Sequence, residues 1–302
     1  MNLFYKIIYV FSAFLFLISC VENKEKKNKT DDILSGEIAV LVDESLMPIA
    51  VEQKEVFESS YYNAKINLIG KPEVQAVNDL IKGESGILIL SRELTEEEKK
   101  SFDQRSITPR IYPFAYDAVV LVGSSDIDST IATQDIIDLM AGRNATGKKL
   151  VIDNPNSSLV RYFRELGKLD KIANTYLEVK GNATEILNTV AGNEKQIGLL
   201  SFNQYLSLQR SFTEKDKIRI LSVLNDTLET PKYVKPSQAS LSTGEYPLRR
   251  EVKVLNYQPN MGLGMGFSAF VTGDRGQRIV LKSGLLPAKM PGREIIIRDN
   301  IN

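Results

Sequence analysis

Thr108-Pro-Arg-Ile-Tyr-Pro-Phe-Ala-Tyr-Asp-Ala-Val-Val-Leu-Val-Gly123 is longer and richer in β-branched and aromatic residues than the strand candidates around it. Its second half, Ala118-Val119-Val120-Leu121-Val122, has no polar alternation, so it reads as a strand buried on both faces. Short apolar strands and amphipathic helices alternate on either side of this run. Before it come a strand at Glu37–Val42, a helix at Ser45–Ser59, a strand at Lys65–Ile69, a proline-opened helix at Pro72–Lys82, a strand at Gly86–Leu90 and a helix at Thr95–Phe102. After it come a helix at Thr133–Ala141 closed by Gly142, a strand at Lys149–Ile152, a helix at Ser158–Leu166, a strand at Thr175–Val179, a helix at Ala183–Ala191 and a strand at Gln196–Ser201. This rhythm predicts an α/β fold with helices on the sheet faces, built as two successive units that meet near Gly123. Val234–Pro247 reads as a loop, Leu248–Tyr257 as a strand, Gly273–Ser283 as a helix closed by Gly284 and Glu294–Arg298 as a last strand.

Composition removes several chemistries. The 302 residues contain no histidine and one cysteine, Cys20. The commonest general base, Ser-His and Cys-His pairs and most zinc sites are therefore absent, and no metal or other cofactor is expected. Basic and acidic residues are equal at 38 each, and nothing in that balance points to nucleic acid.

The first twenty residues read as an address. Lys6 is their only charge, and an apolar run from Ile7 to Ile18 ends in Leu17-Ile18-Ser19-Cys20. The run is shorter than the ~20 residues a membrane span needs, but it suits a secretory signal. Leu-Ile-Ser-Cys resembles a bacterial lipobox. The expectation is that residues 1–19 are a lipoprotein signal peptide and that Cys20 becomes the lipidated N-terminus, leaving the chain extracytoplasmic and membrane-anchored. Residues 20–32 are polar and mixed in charge, a tether rather than a packed segment.

Three strand-to-helix junctions carry hydroxyls or a cation. They are Val42-Asp43-Glu44-Ser45-Leu46-Met47-Pro48, Leu90-Ser91-Arg92-Glu93-Leu94-Thr95 and Asp153-Asn154-Pro155-Asn156-Ser157-Ser158-Leu159. In a doubly wound sheet ligands sit at the carboxyl ends of strands, where free N–H groups and the helix dipole favour anions. A serine at such a place either caps the helix or donates to a ligand. Arg92 either forks onto an oxyanion or pairs with Glu96 or Glu97. Gly262-Leu263-Gly264-Met265-Gly266-Phe267 lacks the dinucleotide-binding spacing and is read as a flexible connection between lobes.

These junctions, together with Tyr116-Asp117-Ala118-Val119-Val120-Leu121-Val122, Ile136–Gly142, Ile197-Gly198-Leu199-Leu200-Ser201, Tyr246-Pro247-Leu248-Arg249-Arg250 and Gly276–Pro287, resemble in order the phosphate-type (PstS-like) substrate-binding proteins of ABC importers. The resemblance implies a two-lobe type 2 periplasmic-binding-protein-like fold with two crossover strands, Ile111–Val119 and Leu248–Val254. Lobe one would hold residues 33–116 and 251–302, and lobe two residues 117–250. It implies a monomeric, non-enzymatic binder of phosphate or a related oxyanion, served by an inner-membrane ABC permease. It implies anion-binding hydroxyls and amides at Ser45, Ser91, Ser157 and Ser158. Glu44, Asn156, Arg92 and Arg161 complete the candidate set, with Arg92, directly after Ser91 at a strand end, read as the principal cation and Arg161 as its substitute. Two positions depart from relatives, which often have aspartate where this chain has Ile87 and arginine where it has Asp153. Asp43, Glu44 or Asp153 would then supply the missing acceptor. Two other readings are a surface or adhesion lipoprotein that keeps the fold without transport, and a carboxylate-dependent hydrolase using Asp43, Glu44 and Asp153.

Overall fold

A computed structural model describes residues 32–143 and 147–292. The segment read as a signal peptide, Cys20, nearly all of the stretch read as a tether and the strand read at Glu294–Arg298 lie outside the described residues. In chain order the elements are β1 (Gly36–Asp43), a 3-10 turn (Glu44–Leu46), α1 (Met47–Ser60), β2 (Ala64–Lys71), α2 (Glu73–Lys82), β3 (Ile87–Leu90), α3 (Glu96–Asp103), β4 (Arg110–Ser124), β5 (Thr130–Ile131), α4 (Thr133–Met140), β6 (Lys149–Ile152), α5 (Ser158–Leu166), β7 (Leu177–Val179), α6 (Ala183–Ala191), β8 (Gln196–Ser201), α7 (Phe202–Gln209), a 3-10 turn (Lys215–Lys217), β9 (Ile218–Ile220), β10 (Ser222–Asn225), β11 (Lys232–Val234), α8 (Gln238–Ser242), β12 (Arg249–Asn256), α9 (Leu263–Thr272), α10 (Asp274–Ser283) and β13 (Leu286–Pro287).

The main sheet runs β2-β1-β3-β12-β4-β8-β6-β7. β2, β1 and β3 are parallel, as are β7, β6 and β8. The strands that join these two parallel blocks are antiparallel: β12 to β3 and β4, and β4 to β8. β4 serves both blocks. Its residues up to Ala118 pair with β12, and Val119 onward pair with β8 and β9. This is the expected two-lobe type 2 periplasmic-binding-protein-like fold, with β4 and β12 as the crossover strands.

β4 bends where its sequence requires it. Pro113 has no N–H to give the ladder, and the register shifts there: Ala115 faces Val252 while Pro113 faces Lys253, leaving Phe114 as the extra residue. The Phe114 carbonyl accepts from Gln277 Nε2 at 2.9 Å and from Ala288 N, just past β13, at 3.3 Å.

Alternation along the strands fills both faces. Val40 and Val42 join the larger core, while Leu41 faces a second cluster with Val77, Leu80, Leu88, Leu90, Phe102 and Tyr257. This is why these strands read as uninterrupted apolar runs. In the larger core Phe57 packs edge-on against Phe267 and Phe270, at 5.4 and 5.3 Å between centroids. Burying a ring of that size contributes about 1.5–3 kcal/mol.

Besides the short strands β5, β9, β10, β11 and β13, which the sequence reading did not place, three segments differ from it. Phe202–Gln209 forms α7, which that reading did not place. The supposed loop Val234–Pro247 contains α8, capped by Ser237. The Gly262–Phe267 stretch is not a flexible connection. From Leu263 it forms the first turns of the buried helix α9, and a Cβ on Gly266 would lie 1.7 Å from the Ile33 carbonyl oxygen. Its glycines permit close backbone approach, which is a packing role.

Candidate functional site

The buried centre between the lobes is built around Arg250, on β12. Arg250 stands directly opposite Asp117 of β4 in the antiparallel register. Its Nε and Nη2 donate to Asp117 Oδ2 at 2.9 and 2.7 Å. Nη1 donates to Ser158 Oγ at 2.8 Å and Nη2 to Ser45 Oγ at 2.8 Å. The two hydroxyls are 3.3 Å apart. Ser45 comes from the turn after β1 and Ser158 from the start of α5, so one guanidinium touches a helix start from each lobe. Relative exposure is 4% for Arg250, 0% for Asp117, 1% for Ser45 and 0% for Ser158. A charge pair withdrawn this far from water is tolerated because its donors and acceptors are matched.

The start of α7 completes the centre. Asn203 N donates to Asp117 Oδ1 at 3.0 Å, and Asn203 Oδ1 accepts from Ile49 N, a first-turn amide of α1, at 3.0 Å. Ser201 Oγ donates to the Ser45 carbonyl at 2.7 Å and caps its own helix by accepting from Gln204 N at 2.9 Å.

Asp43 is 1% exposed beside these groups. Its Oδ1 accepts from Ser45 N at 3.0 Å, while Oδ2 is buried with no hydrogen-bond partner among the described residues. Burial raises its carboxyl above the usual range, and the nearby Arg250 charge and Ser158 hydroxyl do not offset that rise. Asp153 is raised chiefly by burial and in part by Asp43, and Glu44 by burial and then by Asp153 and Asp43. Glu44 and Asp153 line a separate cavity of about 380 Å³ with Met47, Asn182 and Gln204. Among the described residues no group of three or more cysteines and acids is placed to hold a metal ion.

The remaining sequence candidates gather elsewhere. Ser157 is the N-cap of α5, accepting from Val160 N, and does not meet Ser45. Arg92 forks onto Glu98 at 2.7 and 2.9 Å and sends Nε to Glu73 Oε1 at 2.8 Å. Its partners are therefore Glu73 and Glu98 rather than Glu96 or Glu97. Arg161 Nε lies 2.6 Å from the same Glu73 oxygen, and its Nη2 donates to Ser91 Oγ at 3.4 Å. Asn156, Ser157, Arg92 and Arg161 line a cavity of about 210 Å³ with Glu73. The structure thus unites Ser45 and Ser158 around Arg250. It gathers Ser91, Arg92, Asn156, Ser157 and Arg161 around Glu73, and leaves Glu44 beside Asp153.

Arg250 and Asp117 were absent from the candidate set. Asp117 is a lone charge among apolar residues in Ala115–Val122, whereas Arg250 is flanked by Arg249 and Glu251 and does not stand out. A charge that a strand buries needs a partner, and that was the available signal.

An α/β molecule whose lobes meet over helix starts, with two strands crossing between them, has the architecture of the periplasmic-binding class. The chain belongs to the PBP superfamily: the PBP superfamily domain (PBP_like_2) matches residues 27–275. It is similar to the phosphate-binding protein PstS of Staphylococcus epidermidis, 24% identical over 248 residues covering 77% of this chain and 73% of that protein. A Clostridium perfringens structure with bound phosphate, assigned to phosphate ABC transporter substrate-binding proteins, superposes with a TM-score of 0.67 at 19% identity, covering 84% of this chain and all of that one. An ABC-type phosphate transport receptor from Vibrio cholerae gives 0.63 at 16% identity, covering 83% and 100%. These structural likenesses establish the fold, and the resemblance to PstS-like proteins read from the sequence stands.

Proposed function

We propose that this protein is an extracytoplasmic, lipid-anchored binder that captures a tetrahedral oxyanion, phosphate foremost, between its lobes and delivers it to an ABC importer. The observation that carries this reading is the Arg250 guanidinium donating at once to Ser45 and Ser158, one hydroxyl from each lobe. A fixed cation flanked by hydroxyls at helix starts is a preorganised oxyanion receptor. An anion seated there replaces the Ser45–Ser158 contact, and only a closed cleft contacts it from both sides. The names of the similar proteins support phosphate and an ABC permease as partner. The lobes divide near 116/117 and 250/251, with β4 and β12 as hinge. The protein acts as a monomer and performs no chemistry on its ligand.

Asp43 takes the place of the acceptor that relatives have where this chain has Ile87. Its unpartnered Oδ2 receives the hydrogen that a protonated oxyanion brings. Calorimetric titration of the purified protein with phosphate, sulfate and molybdate tests the reading. Phosphate binding is expected, and Ser158→Ala should weaken it by about 1 kcal/mol, one neutral hydrogen bond. Absence of heat and of thermal shift with all three anions at millimolar concentration would overturn it.

The anchor is assigned to Cys20 from Leu17-Ile18-Ser19-Cys20, because more than one acyl chain is needed for firm attachment. Labelled palmitate should enter the wild-type chain and not Cys20→Ala. Equal labelling of both would remove the anchor from this account.

A further inference from the structure

Glu73 opens α2 in the first lobe, yet it is only 1% exposed. Its Oε1 serves two guanidinium groups, Arg92 on its own side at 2.8 Å and Arg161 of α5 across the cleft at 2.6 Å. Among the described residues, its Oε2 and the Arg161 Nε are both buried without a well-aligned hydrogen bond. The cross-cleft attraction is therefore one of charge at short range rather than of bonded geometry. The neighbouring backbone crosses at the same place, with Val74 N donating to the Asn156 carbonyl at 3.5 Å. Arg161 also reaches Ser91 of the first lobe.

Each side of this contact has a second partner of its own. Arg92 is held by both oxygens of Glu98, so it stays beside Glu73 if the lobes part. Arg161 keeps Glu165, one turn along α5, at 2.6 Å. Parting the lobes therefore strands neither ion, whereas the Arg250–Asp117 pair, opposite each other on hydrogen-bonded strands, does not part at all. A pair that crosses the cleft and separates without leaving a bare charge is a two-state element.

We propose that Glu73–Arg161 is a releasable latch across the cleft. It sets the fraction of molecules that are closed and thereby scales anion affinity. The proposal rests on reading the cleft as one that opens to a ligand, and the experiment separates the two. Amide hydrogen exchange is measured on the purified full chain in anion-free buffer, for wild type, Arg161→Met and Glu73→Gln. Calorimetry with inorganic phosphate then follows.

Arg161→Met leaves Glu73 neutralised by Arg92. It should speed exchange about tenfold in segments 45–49 and 157–160, which opening exposes, while β8 exchanges as before. Phosphate affinity should fall only as far as the closed fraction does, a smaller factor than the rise in exchange while most molecules stay closed. Glu73→Gln should do likewise, and the double variant should add nothing further. Unchanged exchange at both segments overturns the latch, even if phosphate affinity falls, because Arg161 would then act on the anion itself. Faster exchange throughout, β8 included, or failure of both variants to fold, also overturns it and makes the pair an ordinary support of the fold. If phosphate does not bind at all, the exchange result still decides the latch.

Discussion

Arg250→Met is expected to lose about 3–5 kcal/mol of folding stability and all measurable phosphate binding, because it leaves the Asp117 carboxylate buried and unpaired. Asp117 is fully buried, and without Arg250 its Oδ2 loses both donors; the Asn203 amide on Oδ1 alone remains. Methionine fills a similar volume, so the loss reports charge and hydrogen bonding rather than a cavity. Ser45 and Ser158 lose their common donor in the same step.

Two companion variants divide the effect. Arg250→Lys keeps the charge but has no planar fork with which to hold Asp117, Ser45 and Ser158 together. It should recover part of the stability while binding remains at least about tenfold weaker, the loss of one charged hydrogen bond. Arg250→Met combined with Asp117→Leu removes both ions, so stability should return toward wild type and binding should not. Urea unfolding and calorimetry on the four proteins read both quantities. If Arg250→Met stays within about 1 kcal/mol of wild type, or binds phosphate as well as wild type, Arg250 is not the hub described here.

The bounds of β6, α5, α6 and β8 are those read from the sequence, because a strong apolar period and a cap or glycine mark each of them. α7 escaped because Phe202–Gln209 follows β8 with no intervening turn: Ser201 ends the strand and caps the helix. α8 escaped because five residues rich in serine carry no helical period.

The site divided along similar lines. Ser45 and Ser158 were visible because each stands at a strand-to-helix junction, which is a local pattern. Arg250 and Asp117 lie 133 positions apart and meet only through the β4–β12 register. A single sequence does not state a strand pairing, so their partnership was out of reach even though Asp117 stands alone among apolar residues. Arg92 shows the opposite failure. Adjacency to Ser91 suggested a ligand, but its partner Glu73 comes from a third helix start, read only as a proline-opened helix.

Asp43→Asn is expected to narrow the preference for phosphate over sulfate by about a hundredfold or more, because a buried acceptor without a hydrogen to receive strongly penalises a ligand that brings none. At alkaline pH the ionised Asp43 presents Oδ2 as an acceptor, which hydrogen phosphate satisfies and sulfate does not. Sulfate enters only if Asp43 first takes a proton from water. Its affinity for the wild-type protein should therefore climb up to about tenfold for each pH unit lowered, one proton taken up per ligand bound, until Asp43 is protonated. Phosphate, which carries the proton in, should vary far less. An asparagine amide donates at every pH, so the sulfate profile should flatten and the gap between the anions should close.

Stability gives an independent reading of the same group. Burial raises the folded-state value of Asp43 above its unfolded value, so between the two the folded protein holds the extra proton. Stability then falls as pH rises through that window. Asparagine cannot lose a proton, keeps an oxygen for Ser45 N and should flatten this slope. A sulfate profile that is flat with pH in the wild type, or selectivity unchanged in Asp43→Asn, would remove Asp43 from the ligand site. A flattened stability slope with unchanged selectivity would leave it buried and titrating but out of reach of the anion.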